Sequence, residues 1–233
     1  MARAQLVTVG TAQLGRPAGA SGEETRHRIL SAAMRCVAEV GYSKASIREI
    51  AKGAEVTSAS LYHYFPTKAE LLKATVAMIE EIALPRLHSA GRCGGDAVDR
   101  LDAVLDESDR LMREYPYLAA FERAIRAESA AFLRRGHARG VEFEALRDII
   151  AEIVDDAQRQ GALGAGIDVQ GAVDAVYALA RGLTEQAAIL PPQAYHRVLR
   201  SAKQLIRGTL FQPPASHLGR GRRRAAKGAR RLS

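Results

Sequence analysis

Tryptophan is absent from the 233-residue sequence, and the aromatic fraction is only 5%. That scarcity, set against abundant alanine, disfavours a β-sandwich or barrel. Strands draw on aromatic and β-branched residues, whereas alanine has the highest helix propensity. Cysteine occurs only at Cys36 and Cys93, too few for a disulfide framework or a multi-cysteine zinc site. No run approaches the ~20 apolar residues that span a bilayer. Near the N-terminus, Arg3 precedes a weakly apolar stretch, but Gln5, Thr8, Gly10 and Gln13 interrupt it. Residues 1–21 therefore read as a disordered arm and not as a secretory signal, and a cytoplasmic protein is expected.

Catalytic constellations are missing as well. The six histidines, His27, His63, His88, His137, His196 and His217, show no H-x-x-x-H or H-E-x-x-H spacing. There is no phosphate-cradling glycine loop, no G-x-S-x-G elbow and no Cys–His pairing. No catalytic residue, metal ligand or cofactor is assigned, and an enzyme is not expected. Asp102, Asp106, Asp155 and Asp156 read as solvated helix faces.

Positive charge is present in excess, at +8 net, and it is unevenly placed. Residues 71–219 carry 18 basic and 20 acidic side chains, whereas residues 220–233 carry seven basic ones and no acid. The globular body is thus near neutral. The tail, from 214 to 233, has little to bury and reads as disordered; a flexible polybasic segment attracts phosphate chains without reading sequence. A solvated tail without function reads equally well.

Along the chain the apolar positions follow helical spacing. Ile29, Leu30, Ala33, Met34, Val37 and Ala38 define a helix over about 23–40, closed by Gly41. Ser46 with Glu49 forms a capping box that opens a short helix over 46–53. After a turn near 53–56, Thr57 caps a third helix ending before Pro66, and Thr67 with Glu70 opens a fourth that Pro85 should end or kink. Five further helices are expected at about 96–114, 116–135, 140–160, 168–190 and 193–211, with no strand.

Residues 46–65, SIREIAKGAEVTSASLYHYF, are the informative stretch. Short helix, tight turn and short helix make a helix-turn-helix, and Ile47, Ile50, Ala51, Val56, Leu61 and Tyr64 would hold the pair against the first helix. Small residues at the start of the second helix permit entry into a major groove, which bulky ones would block. A helix N-terminus also favours a nearby phosphate.

The segments T-R-H-R-I-L-S-A-A, V-G-Y-S-K-A-S-I-R-E-I-A-K and V-T-S-A-S-L-Y-H-Y-F-P-T-K-A-E-L-L resemble the N-terminal domain of the TetR family of transcriptional regulators over residues 22–84. The resemblance implies an all-α fold, in which a three-helix DNA-binding domain is joined by a fourth helix to a larger helical domain, at 85–213, for dimerisation and ligand binding. It implies contacts to double-stranded DNA from Ser46, Arg48, Thr57, Ser58, Ala59, Ser60, Tyr62, His63 and Lys68, with Tyr42 and Phe65 in core positions. One departure is Glu55, which stands where the family usually has glycine. The expected function is a ligand-responsive repressor, working at the nucleoid on a palindromic operator; the alternative is a non-specific architectural nucleic-acid-binding protein driven by its basic tails.

In the C-terminal half, Val169, Val173, Val176, Ala180, Leu183 and Ala187, then Val198, Ala202, Leu205, Ile206, Thr209 and Leu210, make two stripes. They could pair two copies into a homodimer through the helices near 168–190 and 193–211, or pack within one subunit. Half-sites about 34–36 Å apart call for two recognition helices. Phe121, Phe132, Phe143 and Tyr177 are candidates to line a small-molecule cavity, with Tyr117, Arg126 and Arg181 as polar anchors. The effector itself does not follow from the sequence.

Overall fold

A computed structural model describes residues 18–134 and 145–211. Among the described residues there are nine α-helices and no strand: α1 (Ala18–Val40), α2 (Ile47–Gly53), α3 (Ser58–Tyr64), α4 (Lys68–Gly91), α5 (Ala97–Glu114), α6 (Leu118–Arg134), α7 (Ala145–Arg159), α8 (Val169–Ile189) and α9 (Pro192–Ile206). Helix α1 starts at Ala18, so the last residues expected in the arm are helical. The basic tail, Phe143 and the side chain of Phe132 lie outside what is described. No helix among the described residues is long and apolar enough to cross a membrane.

The apolar side chains gather in two cores. Ile29, Leu30, Ala33, Ile50, Leu61, Phe65 and Leu71 bury the short helices α2 and α3 against α1 and α4. The second core fills the body between α1, α4 and helices α5 to α9. Helices α1 and α4 serve both: Leu71 faces the first core while Leu72, Val76, Ile79 and Leu87 face the second. Seven-residue helices are unstable alone, so α2 and α3 owe their form to this burial.

Of the two outcomes expected at Pro85, an end or a kink, the first does not occur: the helix runs on to Gly91. A mid-helix proline removes one backbone bond and crowds the carbonyl four residues back, at a cost of ~3 kcal/mol. Leu87 and Gly91, both buried beyond the proline, offset it. A Cβ at Gly91 would stand 3.0 Å from Ile149 Cγ2, so α4 passes close to α7 at that point.

Asp155 is exposed, as its sequence suggests, but Asp102, Asp106 and Asp156 are not simply solvated. Asp102 is buried, and Arg207 Nη2 lies 2.7 Å from its Oδ2 and 3.0 Å from Asp99 Oδ1. Lys203 Nζ reaches Asp106 Oδ1 at 2.5 Å. The spacing of Asp99, Asp102 and Asp106 places them on the side of α5 that meets α9. Asp156 takes Arg100 Nη1 at 2.9 Å.

Candidate nucleic-acid interface and effector cavity

Helix α2 begins with a closed capping box. Ser46 Oγ accepts the Glu49 N–H at 3.2 Å, and Glu49 Oε2 accepts the Ser46 N–H at 3.2 Å. Its C-terminus is tied to α1, where Arg35 Nη2 donates to the Gly53 carbonyl at 3.2 Å. The turn that follows is a Schellman motif: Val56 N–H reaches the Ala51 carbonyl at 3.0 Å and Glu55 N–H the Lys52 carbonyl at 3.2 Å. Glu55 has φ 57°. It therefore occupies the left-handed position that glycine fills without steric cost, and the departure noted in the sequence is a real backbone strain.

Thr57 caps α3, its Oγ1 accepting the Ser60 N–H at 3.0 Å. Leu61 and Phe65 anchor the helix from beneath, at 0% and 5% exposure. Thr57, Ala59, Tyr62 and His63 are exposed, and Ser58 and Ser60 half-buried. The His63 ring meets the Tyr64 ring edge-on at 5.8 Å. Ser46 and Arg48 stand exposed at the start of α2. Eight of the nine residues expected at DNA are thus gathered at the starts of α2 and α3 and along α3, with polar groups open to a partner.

The ninth, Lys68, is placed differently. Its ammonium is half-buried, donates to the Tyr42 carbonyl and lies 4.5 Å from the centre of the Tyr42 ring. Burial lowers its pKa. From the other side, Ser43 Oγ donates to Glu128 Oε2 of α6 at 3.1 Å. The loop leading into α2 is therefore held by α4 and α6 together.

Helices α4, α5, α6, α7 and α8 line a cavity of about 80 Å³ that opens to solvent. Apolar walls come from Ile79, Leu87, Leu111, Met112 and Leu146, and polar groups from Glu80, Ser108, Glu122, Arg126, Tyr177, Arg181 and Thr184. Of the residues expected to line a cavity, Arg126, Tyr177 and Arg181 do so. Phe121 does not; it is wholly buried in the core. Tyr117 does not either, since it sits in the α5–α6 turn and is 39% exposed. Sequence reasoning missed Glu80 and Glu122. Val76, Glu80, Ala83 and Leu87 recur at spacings of four and three, so the same periodicity that marked the core also placed Glu80 on its inner stripe.

Burial raises the pKa of both acids. Glu122 takes Arg126 Nη1 at 2.9 Å, and Arg181 lies over the Tyr177 ring at 5.7 Å. On the outer side of α8 and α9, a shallow trough is lined by Leu179, Gly182, Val198, Ser201 and Leu205. The α8 stripe that the sequence offered as an interface turns inward instead: Val173, Ala180 and Leu183 are buried in their own subunit. Exposed apolar side chains on and just after these two helices are Ile189, Val198, Leu205, Leu210 and Phe211.

A capped helix-turn-helix mounted on a helical body with a lined cavity defines the architecture of a helix-turn-helix regulator. Residues 29–75 match the family described as bacterial regulatory proteins, tetR family. The transcriptional repressor KstR of Rhodococcus jostii (strain RHA1) is 32% identical over 120 residues, which are 50% of this chain and 55% of that protein. The transcriptional regulator UidR of Escherichia coli (strain K12) is 28% identical over 152 residues, 63% of this chain and 72% of that protein. The structure of FadR from Bacillus subtilis in complex with stearoyl-CoA superposes with a TM-score of 0.62 at 18% identity, over 79% of this chain and 99% of that one. The match spans about half the length of the KstR relatives. Residues 29–75 are thus a TetR-type DNA-binding domain, and the chain as a whole resembles TetR-family transcriptional regulators.

Proposed function

We propose that this protein is a homodimeric transcriptional repressor that binds a palindromic operator and is released by a small, largely apolar effector. Ser58, Ala59 and Ser60 read bases from the start of α3, while Thr57, Tyr62, His63, Ser46 and Arg48 hold the flanking backbone. The observation that carries the reading is the exposed face of α3: a capped first turn of small residues on a helix anchored by Leu61 and Phe65. That is the shape a major groove admits. The α8–α9 trough supplies the dimer contact, and the cavity supplies the effector site. The domains fall at 22–84 and 85–213, sharing α4, and the protein works in the cytoplasm at the nucleoid. The KstR and UidR likenesses support a regulatory role, and the FadR complex supports a ligand with a long apolar chain.

The effector acts through its differential affinity for the DNA-competent and incompetent arrangements, and shifts the equilibrium by no more than that difference. The test is a selection of random duplexes bound at about 150 mM salt, where non-specific phosphate binding is weak, with a control lacking residues 220–233. A palindrome recovered with and without the tail is the expected result. Recovery of no motif, with binding abolished by removing the tail, would refute the proposal in favour of non-specific attachment.

A further inference from the structure

We propose that the cavity takes an amphiphile whose polar end is a basic amine, seated against Glu80. The inference rests on this cavity being the effector site. Glu80 stands on the cavity wall, half-buried, and no hydrogen bond or ion pair engages its carboxyl group among the described residues. An ionised carboxylate only accepts, so it calls for donors. Burial raises its pKa, and no cation among the described residues offsets that burial.

The other polar groups on the wall are already occupied. Arg126 is held by Glu122 at 2.9 Å. Ser108 Oγ donates to the Val104 carbonyl at 2.9 Å, and Thr184 Oγ1 to the Ala180 carbonyl at 3.3 Å. Arg181 is exposed at the edge and lies over Tyr177. An anionic head group seated inside the cavity would meet the like charge of Glu80 or draw Arg126 away from Glu122, leaving two acids without a cation in a low-dielectric space; Arg181 offers it a cation only at the exposed edge. An alcohol supplies one donor and no charge. A protonated amine brings three donors and a positive charge, meets Glu80, and breaks no existing pair. Ile79, Leu111, Met112 and Leu146 then receive the apolar body.

The test compares n-octylamine, 1-octanol and octanoate, which share one tail, by calorimetric titration of the full chain at neutral pH. Octylamine should bind about 10- to 100-fold more tightly than octanoate, the range of one hydrogen bond to a charged group. Glu80→Gln should remove that preference, and Arg181→Gln should keep it. Octanoate binding as tightly as octylamine, none of the three binding, or a preference that survives both Glu80→Gln and Glu80→Ala overturns the assignment. The outcome separates from that of the duplex selection. A protein that selects a palindrome but shows no amine preference keeps its regulatory reading and loses this one. Amine binding through Glu80 without a recovered motif does the reverse.

Discussion

Replacing Glu55 by glycine tests the turn between the two short helices. At φ 57° the Glu55 Cβ crowds its own following carbonyl, which costs roughly 1–2 kcal/mol in an L residue. Glycine removes that strain but gives up about 0.5–1 kcal/mol through the greater freedom of the unfolded chain. The net expectation is a gain of about 0.5–1 kcal/mol. For a chain of this size, that raises the melting temperature by about 1–4 °C. Thermal unfolding followed by circular dichroism at one fixed protein concentration measures it, since a dimer's midpoint depends on concentration. Glu55→Asn should gain part of the increment, because asparagine tolerates the left-handed region, and Glu55→Ala should gain none.

The same residue carries an exposed charge two positions before the Thr57 cap. At a separation of about 10 Å in water, its repulsion by one phosphate is about 0.4 kcal/mol, or roughly twofold in affinity. Glu55→Gln should therefore tighten operator binding about twofold without changing the melting temperature. If Glu55→Gly and Glu55→Asn both melt at or below the parent, the strain argument is wrong.

The remaining expectations concern caps, titration and assembly. Thr57→Ala removes the acceptor for the Ser60 N–H and should lower stability by about 1 kcal/mol, read as a shift in the thermal midpoint. Glu80 has a raised pKa in the fold, so its ionisation opposes folding; that penalty is absent below the unfolded value of about 4.3 and grows as pH rises through the folded one. Glu80→Gln should then raise the melting temperature at pH 7 and not at pH 4, and an equal shift at both would contradict the titration argument. Glu107 has the opposite sign: burial works against its charge, but Arg86 and Arg110 outweigh burial and hold its pKa low. Its stabilisation is present above about 4.3 and lost as pH falls through the folded value, so Glu107→Gln should flatten the acid limb of the stability curve. Leu205→Glu puts a charge into the exposed α8–α9 trough and should yield monomers by light scattering; persistence of a dimer would place the interface elsewhere.

The helix-turn-helix was legible in the sequence because each signal in it is local. Ser46 with Glu49, Thr57 with Ser60, and Thr67 with Glu70 are caps that span three residues, and each forms as its spacing implies. The apolar spacing of Ile50, Ala51 and Leu61 likewise gives the buried side of the unit. Pro85 shows where local rules lose. The chain signal says stop, but Leu87 and Gly91 pack against helices tens of residues away, and that burial is invisible in a local window. The aspartates of α5 misled for the same reason. Their partners, Lys203 and Arg207, lie about a hundred residues on in sequence.

The cavity was legible only in part, because an apolar stripe says that a face is inward without saying whether it meets protein or open space. Phe121 and Tyr177 carry similar sequence signals, yet one fills the core and the other lines the cavity. Lys68 extends the point to the DNA-facing unit. Its position matched a phosphate contact, but its ammonium is engaged by Tyr42, while Glu128 holds the neighbouring Ser43. Glu128 lies on the same helix as Glu122 and Arg126 of the cavity wall. A ligand that displaces α6 therefore loads the loop entering α2 directly as well as through α4. Because Glu128 grips that loop by a single hydroxyl, Ser43→Ala would sever this direct tie while leaving every α3 contact residue in place.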